Sequence, residues 1–192
     1  MVSVAKATLS KIAIPDLLDP NGQPQLAQPA IDNPLAAPEE AVTEVVPAIA
    51  TVKPNGDLMA MVAHLRGAEA GAHELQCLAT GIYFESKGEP LAGQLAVGKV
   101  IANRANSGGR FPSSYCGVLF QRGQFSFVHG RSLPSAPRAS KQWQTAVAIA
   151  KIIDQGLHES SVGNALFFHA RYVSPGWHLK RVAAIGNHIF YR

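Results

Sequence analysis

Residues 1–56 contain not one Phe, Trp or Tyr, yet they hold eight of the thirteen prolines in this 192-residue chain. That asymmetry limits where a core can form. A segment rich in proline and free of aromatics buries too little apolar surface to offset the entropy of ordering it. With three Lys against six Asp and Glu, residues 1–56 are expected to be a disordered, acidic, Pro-rich tether. The remainder is long enough for one domain with a real core. Within it, the Ala- and Met-rich residues 57–72 read as a lead-in, either a short helix or a loose segment. The folded domain is expected from His73 to the end, residues 73–192.

The region 57–192 carries fourteen Lys and Arg against seven Asp and Glu. A basic domain suits an anionic partner such as nucleic acid, acidic lipid or a wall polymer, although basicity also serves solubility alone. No block of five or six Lys and Arg and no nucleic-acid motif is present, so nucleic acid is not expected. No apolar run reaches the roughly 18 residues of a membrane span, so stable membrane insertion is not expected. The opening stretch MVSVAKATLSKIAIPDLLDP has no continuous apolar segment and no small-residue cleavage site, so no export signal is visible. Two cysteines, Cys77 and Cys116, at no metal-type spacing, fit either one disulfide or two buried thiols.

From His73 to Lys87, Leu75, Leu78, Ala79 and Ile82 fall on one helical face. Gly88 offers a left-handed stop, and Pro90 suits the first turn of a second helix over 91–105, apolar on most sides and therefore central. Residues 106–117 read as loop. The alternation in QFSFV, within 118–128, predicts a strand. A third helix over 139–156 presents Trp143, Ala146, Val147, Ala150 and Ile153 to the core. The runs NALFFHARYV and AIGNHIFY, separated by SPGW, read as two strand-like arms. The sum is an α+β domain, helix-dominated, with a small β element.

Acids are scarce enough in the domain for elimination. Asp57, Glu69 and Glu74 precede or open the first helix, and Asp154 and Glu159 flank the end of the third. Glu85 and Glu89 stand among apolar, aromatic and Gly residues in IYFESKGEP. A carboxyl group beside Tyr83 and Phe84 at the end of an apolar helix is partly desolvated. Desolvation raises its pKa, as a general acid near neutral pH requires; the alternative is an ordinary end-of-helix acid. Glu89, at a turn between helices, more naturally accepts backbone N–H groups and is a secondary candidate. His169, His178 and His188 have no zinc-site spacing, so no metal and no cofactor are expected. Trp143 reads as packing. Trp177, in a loop, reads equally as packing or as a platform for a sugar ring.

Taken together, CLATGIYFESKGEP, LAGQLAVGKVIANR, FPSSYCGVLFQ, GQFSF, NALFFHARYVSPGW and IGNHIFY resemble, in order, the SleB/CwlJ-type cell wall hydrolase family. The resemblance covers about residues 74–191. It implies a lysozyme-like domain of the lytic transglycosylase type that cleaves peptidoglycan between N-acetylmuramic acid and N-acetylglucosamine. It implies Glu85 as the catalytic acid, needing no second carboxylate. It further implies Gln124 and Ser126, on a strand beside the acid, and His169, Tyr172 and Trp177 as groove residues, each of which also reads as tail core. Many relatives carry a further cysteine pair near the positions of Gly123 and His129. Its joint absence here implies that Cys77 pairs with Cys116. A monomer, periplasmic or associated with the cell wall, is expected. Two other readings are a metal-dependent peptidoglycan amidase using His169, His178 and His188, and a non-catalytic wall-binding domain.

Overall fold

The computed structural model describes residues 55–192; all but the last two residues of the expected tether lie outside the described residues. Five helices are followed by three strands: α1 (Leu58–Leu65), α2 (His73–Ser86), α3 (Leu91–Ala105), α4 (Tyr115–Leu119), α5 (Lys141–Asp154), β1 (Phe167–Ala170), β2 (Arg181–Ile185) and β3 (His188–Tyr191). The residues read as a lead-in form α1. Asp57 caps it, its carboxylate accepting from the N–H groups of Met59 and Ala60 at 3.1 and 3.3 Å. Met61 and Val62 are buried in the same core as α2 and α5, so the packed structure extends upstream of His73.

The central helix α3 is buried on two faces. One faces α2, α4 and α5 through Leu95, Ile101, Ala102 and Ala105. The other, with Ala96, Val97 and Val100, meets Val162, Ala165 and Phe190 under the sheet. Glycines let the helices approach. A methyl on Gly98 would stand 2.7 Å from Ile82 Cδ1, and one on Gly81 2.7 Å from Ile101 Cδ1, distances that no Cβ tolerates without displacement of its neighbours. The helix α5 starts at Ser140, whose hydroxyl accepts from the Trp143 N–H at 3.2 Å, and stops before Gly156 at φ +63°, a left-handed position that suits glycine.

The tail folds into one antiparallel sheet of order β1-β3-β2. The run AIGNHIFY is therefore the end of a hairpin rather than a single arm. Phe168 and Phe190 pair across β1 and β3 on the core face, while His169, Ile189 and Tyr191 line a pocket on the other, as the two-residue period of a strand dictates.

Three local expectations need correction. GQFSF is not a strand: the Gln124 N–H donates to the Gln121 carbonyl and the Val128 N–H to the Phe125 carbonyl, with Gly123 at φ +74°. These turns put Phe125 and Phe127 into one aromatic cluster, 5.6 Å apart, instead of on a sheet face. Gly88 does not take the left-handed conformation, which among the described residues is taken by other glycines; the helix α2 instead closes through Lys87 N–H on the Tyr83 carbonyl. Pro90 is the N-cap of α3, one residue before its first turn.

Candidate active site

Glu85 lies in the last turn of α2. Tyr83 meets Phe84 edge to face at 5.0 Å and Trp143 at 5.9 Å, and Phe84 stacks on Phe127 at 5.1 Å. Glu85 is half-buried, and burial raises its carboxyl above the ordinary value while Arg104 pulls the other way. A carboxylate at a helix C-terminus also meets the negative end of the helix dipole, which further disfavours ionisation. The cation opposite, Arg104, is 5 % exposed. Its Nε–H donates to the Leu166 carbonyl at 2.8 Å, and its guanidinium lies 5.2 Å from the Phe111 ring and 5.8 Å from Phe125. Burial lowers the Arg104 pKa to about 10, with Glu85 opposing. The sequence reading missed Arg104. Its signal was a charged residue on a helix otherwise apolar on most sides, which requires an acidic counterpart elsewhere.

The other carboxylates of the domain are engaged or exposed. Asp57 caps α1, Glu74 accepts from the Cys116 N–H at 3.0 Å, and Asp154 accepts from the Tyr115 hydroxyl at 3.0 Å. Glu69 and Glu159 are exposed. Glu89 is held on the sheet hairpin: its Oε2 accepts from the Asn187 N–H at 2.9 Å, and its Oε1 stands 3.7 Å from His188 Nδ1. The two side chains are only 8 and 9 % exposed, and burial lowers the His188 pKa, with Glu89 opposing. A methyl on Gly186, at φ +55°, would collide with the Glu89 carboxylate.

The expected groove residues fall into two groups. Gln124 and Ser126 are exposed on the turn whose Phe127 stacks on Phe84. His169, Tyr172 and Trp177 come together with Tyr191 and Ile189 around a pocket of about 360 Å³ on the outer face of the sheet. His169 is fixed there. Its Nδ1–H donates to the Ala170 carbonyl at 2.9 Å, leaving Nε2 to accept from the Tyr191 hydroxyl at 2.9 Å. Trp177 meets the rings of Phe167, His169 and Tyr191 edge on, at 6.0, 5.6 and 5.9 Å. Phe167 also lies 6.0 Å from the Arg104 guanidinium, so it connects the pocket to the cation opposite Glu85.

The three tail histidines do not converge on a metal. Among the described residues, the one group with ligand atoms close enough for an ion is His73, Cys77 and Cys116. Its cysteines are joined as a disulfide between α2 and α4, which leaves one imidazole.

The Cell Wall Hydrolase family model matches residues 88–191, a span that opens just past Glu85. Spore cortex-lytic enzymes are similar: that of Bacillus cereus at 31 % identity over 62 % of this chain and 44 % of its own length. That of Oceanobacillus iheyensis is 35 % identical over 62 % of this chain and 41 % of its own. The chain thus spans less than half the length of these curated relatives. Among solved structures, the catalytic domain of the germination-specific lytic transglycosylase SleB from Bacillus anthracis superposes with a TM-score of 0.52 at 30 % identity. That likeness covers 65 % of this chain and all of the other. The catalytic domain of Bacillus cereus SleB gives a TM-score of 0.50 at 29 % identity, over 74 % and 97 %. The helix-dominated α+β fold is that of the SleB catalytic domains, and with its model matched over more than half the sequence the chain belongs to the Cell Wall Hydrolase family.

Proposed function

We propose that this protein cleaves the glycan strand of peptidoglycan between N-acetylmuramic acid and N-acetylglucosamine, as a lytic transglycosylase with Glu85 as its general acid and base. The observation that carries the reading is the contrast among carboxyl groups: Glu85 is half-buried with its pKa raised by desolvation, while the others are engaged or exposed. A raised pKa keeps the proton available for the glycosidic oxygen. As that proton moves to the leaving oxygen, the bond from the muramyl C1 breaks. The Glu85 carboxylate then takes the proton of the muramyl C6 hydroxyl as its oxygen bonds to C1, leaving a 1,6-anhydro end and a regenerated acid. No water is consumed and one carboxyl group suffices. A hydrolase of the inverting or retaining kind normally needs a second carboxylate across the cleft, and the nearest in sequence, Glu89, is committed to the hairpin.

In this reading Gln124 and Ser126 hydrogen-bond the sugars beside Glu85, and His169, Tyr172 and Trp177 form the distal wall of the groove. The substrate is a wall polymer, so the protein acts in the periplasm or at the wall. Every site residue comes from one chain, so a monomer suffices. The amidase reading loses its support because, among the described residues, the three tail histidines do not gather into a group that could hold a metal.

Mass spectrometry of purified peptidoglycan treated with wild-type protein and with Glu85→Gln tests the proposal. Anhydromuropeptides from the wild type alone are expected. Reducing-end products would keep the site but replace the second step with hydrolysis. Tight wall binding with no glycan products from either protein would overturn the enzymatic reading.

A further inference from the structure

The pocket on the outer face of the sheet contains a group that the cleavage chemistry leaves unused. Arg171 lines it. Its Nε–H donates to the Gly186 carbonyl at 2.9 Å, and its backbone N–H donates to the Asn187 carbonyl at 2.8 Å. A guanidinium held by Nε presents its terminal N–H groups as a fork that matches a carboxylate or phosphate. From Ser160 to Arg192 the sequence has no Asp or Glu, but four Lys and Arg. Glu89 lies across the hairpin with His188, on the core face of the sheet, its carboxylate taken by the Asn187 N–H. The Arg171 charge therefore faces the pocket without an acid within 4 Å. Beside it Tyr172 is 90 % exposed and Trp177 43 % exposed. Such rings in solvent offer surface for a ligand to cover. The pocket volume of about 360 Å³ falls in the range of small-ligand sites, roughly 300–1,000 Å³.

We propose that this pocket is a subsite for the peptide stem carried by the muramyl sugar, with Arg171 gripping a stem carboxylate and Tyr172 and Trp177 covering its apolar surface. The proposal rests on peptidoglycan being the substrate. A wall polymer bearing phosphate would offer similar chemistry to the fork. The stem is favoured because it hangs from the same strand that Glu85 would cut, and Phe167 connects the two sites through Arg104 and Trp177.

The test compares kcat/KM on two substrates, both stripped of phosphate polymers: strands with their peptide stems, and strands freed of stems by an amidase. The wild type is expected to prefer stem-bearing strands by about tenfold, the worth of one good charge-assisted contact. Arg171→Gln should bring the ratio close to one, and Arg171→Lys should fall between. Tyr172→Ala, at a side chain too exposed to support the fold, should reduce the ratio by a smaller factor. A wild-type ratio of one, or a ratio that Arg171→Gln leaves unchanged, would overturn the subsite. Glu85→Gln run in parallel separates the two claims. If it is inactive on both substrates while the Arg171 variants keep the preference, only the subsite fails. If it cuts like the wild type, the catalytic reading has failed.

Discussion

Two carboxylates four residues apart end up in opposite circumstances. At the end of α2, the half-buried Glu85 meets the unfavourable end of a helix dipole and the field of the buried cation Arg104. Just before α3, Glu89, its side chain 8 % exposed, accepts a backbone N–H beside an imidazole, and the hairpin leaves room for it at Gly186. Burial alone therefore does not set a carboxyl group apart; what differs is that Glu89 accepts a backbone N–H and Glu85 accepts no hydrogen bond among the described residues. The Glu89 corner stabilises the fold, whereas burial at the Glu85 corner raises the carboxyl's pKa.

The largest effect that breaks this comparison is on rate. Glu85→Gln should lower the rate of glycan cleavage by about 10²–10⁴-fold, the usual worth of a general acid, with a thermal midpoint no lower than that of the wild type. Glu89→Gln, assayed beside it, should retain most activity; equal losses in the two variants would erase the distinction.

Next in size are effects on stability at the hairpin. Glu89→Ala leaves the Asn187 N–H without its acceptor and removes the carboxylate beside His188, which should cost about 1–3 kcal/mol in denaturant unfolding. Gly186→Ala should cost about 1–3 kcal/mol, because it forces a side chain into a left-handed backbone and against the Glu89 carboxylate. Cleavage by the surviving folded fraction of either variant should stay near normal.

The smallest effects are shifts along the pH axis. Arg104 holds the Glu85 carboxyl down against desolvation, so Arg104→Gln should move the alkaline limb of the rate profile to higher pH. Thermal midpoints against pH sharpen the same point from the fold's side. The raised Glu85 pKa means that the unfolded chain loses its proton first, so Glu85 subtracts stability as pH rises above the ordinary carboxylate range. His188 is lowered by burial, with Glu89 opposing, so its contribution is present above about 6.5, the ordinary imidazole value, and is lost as pH falls through its folded value. Glu85→Gln should remove the first slope and His188→Gln the second.

What could be read from sequence was whatever a local period decides. The helix over 91–105 was legible to the residue because it is apolar almost all round and begins at a proline. The apolar faces of α2 and α5 followed from their spacing. QFSFV misled because alternation describes a strand only when both neighbours of the chain are extended. Here Gly123 bends the chain, and both phenylalanines serve one cluster with Phe84. Arg104 opposite Glu85, Arg171 on Gly186 and Glu89 under the hairpin all join segments far apart in sequence. No single-chain pattern specifies such pairs; only the packing of α3 between the bundle and the sheet brings them together.

The glycine at position 81 has a further consequence for Glu85. With a hydrogen atom in place of a methyl, α2 seats against Ile101 and Leu119 like a shaft in a keyway. Glu85, four residues on, is one turn along the same face. Its angular phase is therefore set by a residue that takes no part in the chemistry. Inserting a single residue between Gly81 and Glu85 would turn the acid by roughly 100° about the helix axis, away from Arg104, while leaving its sequence surroundings almost untouched.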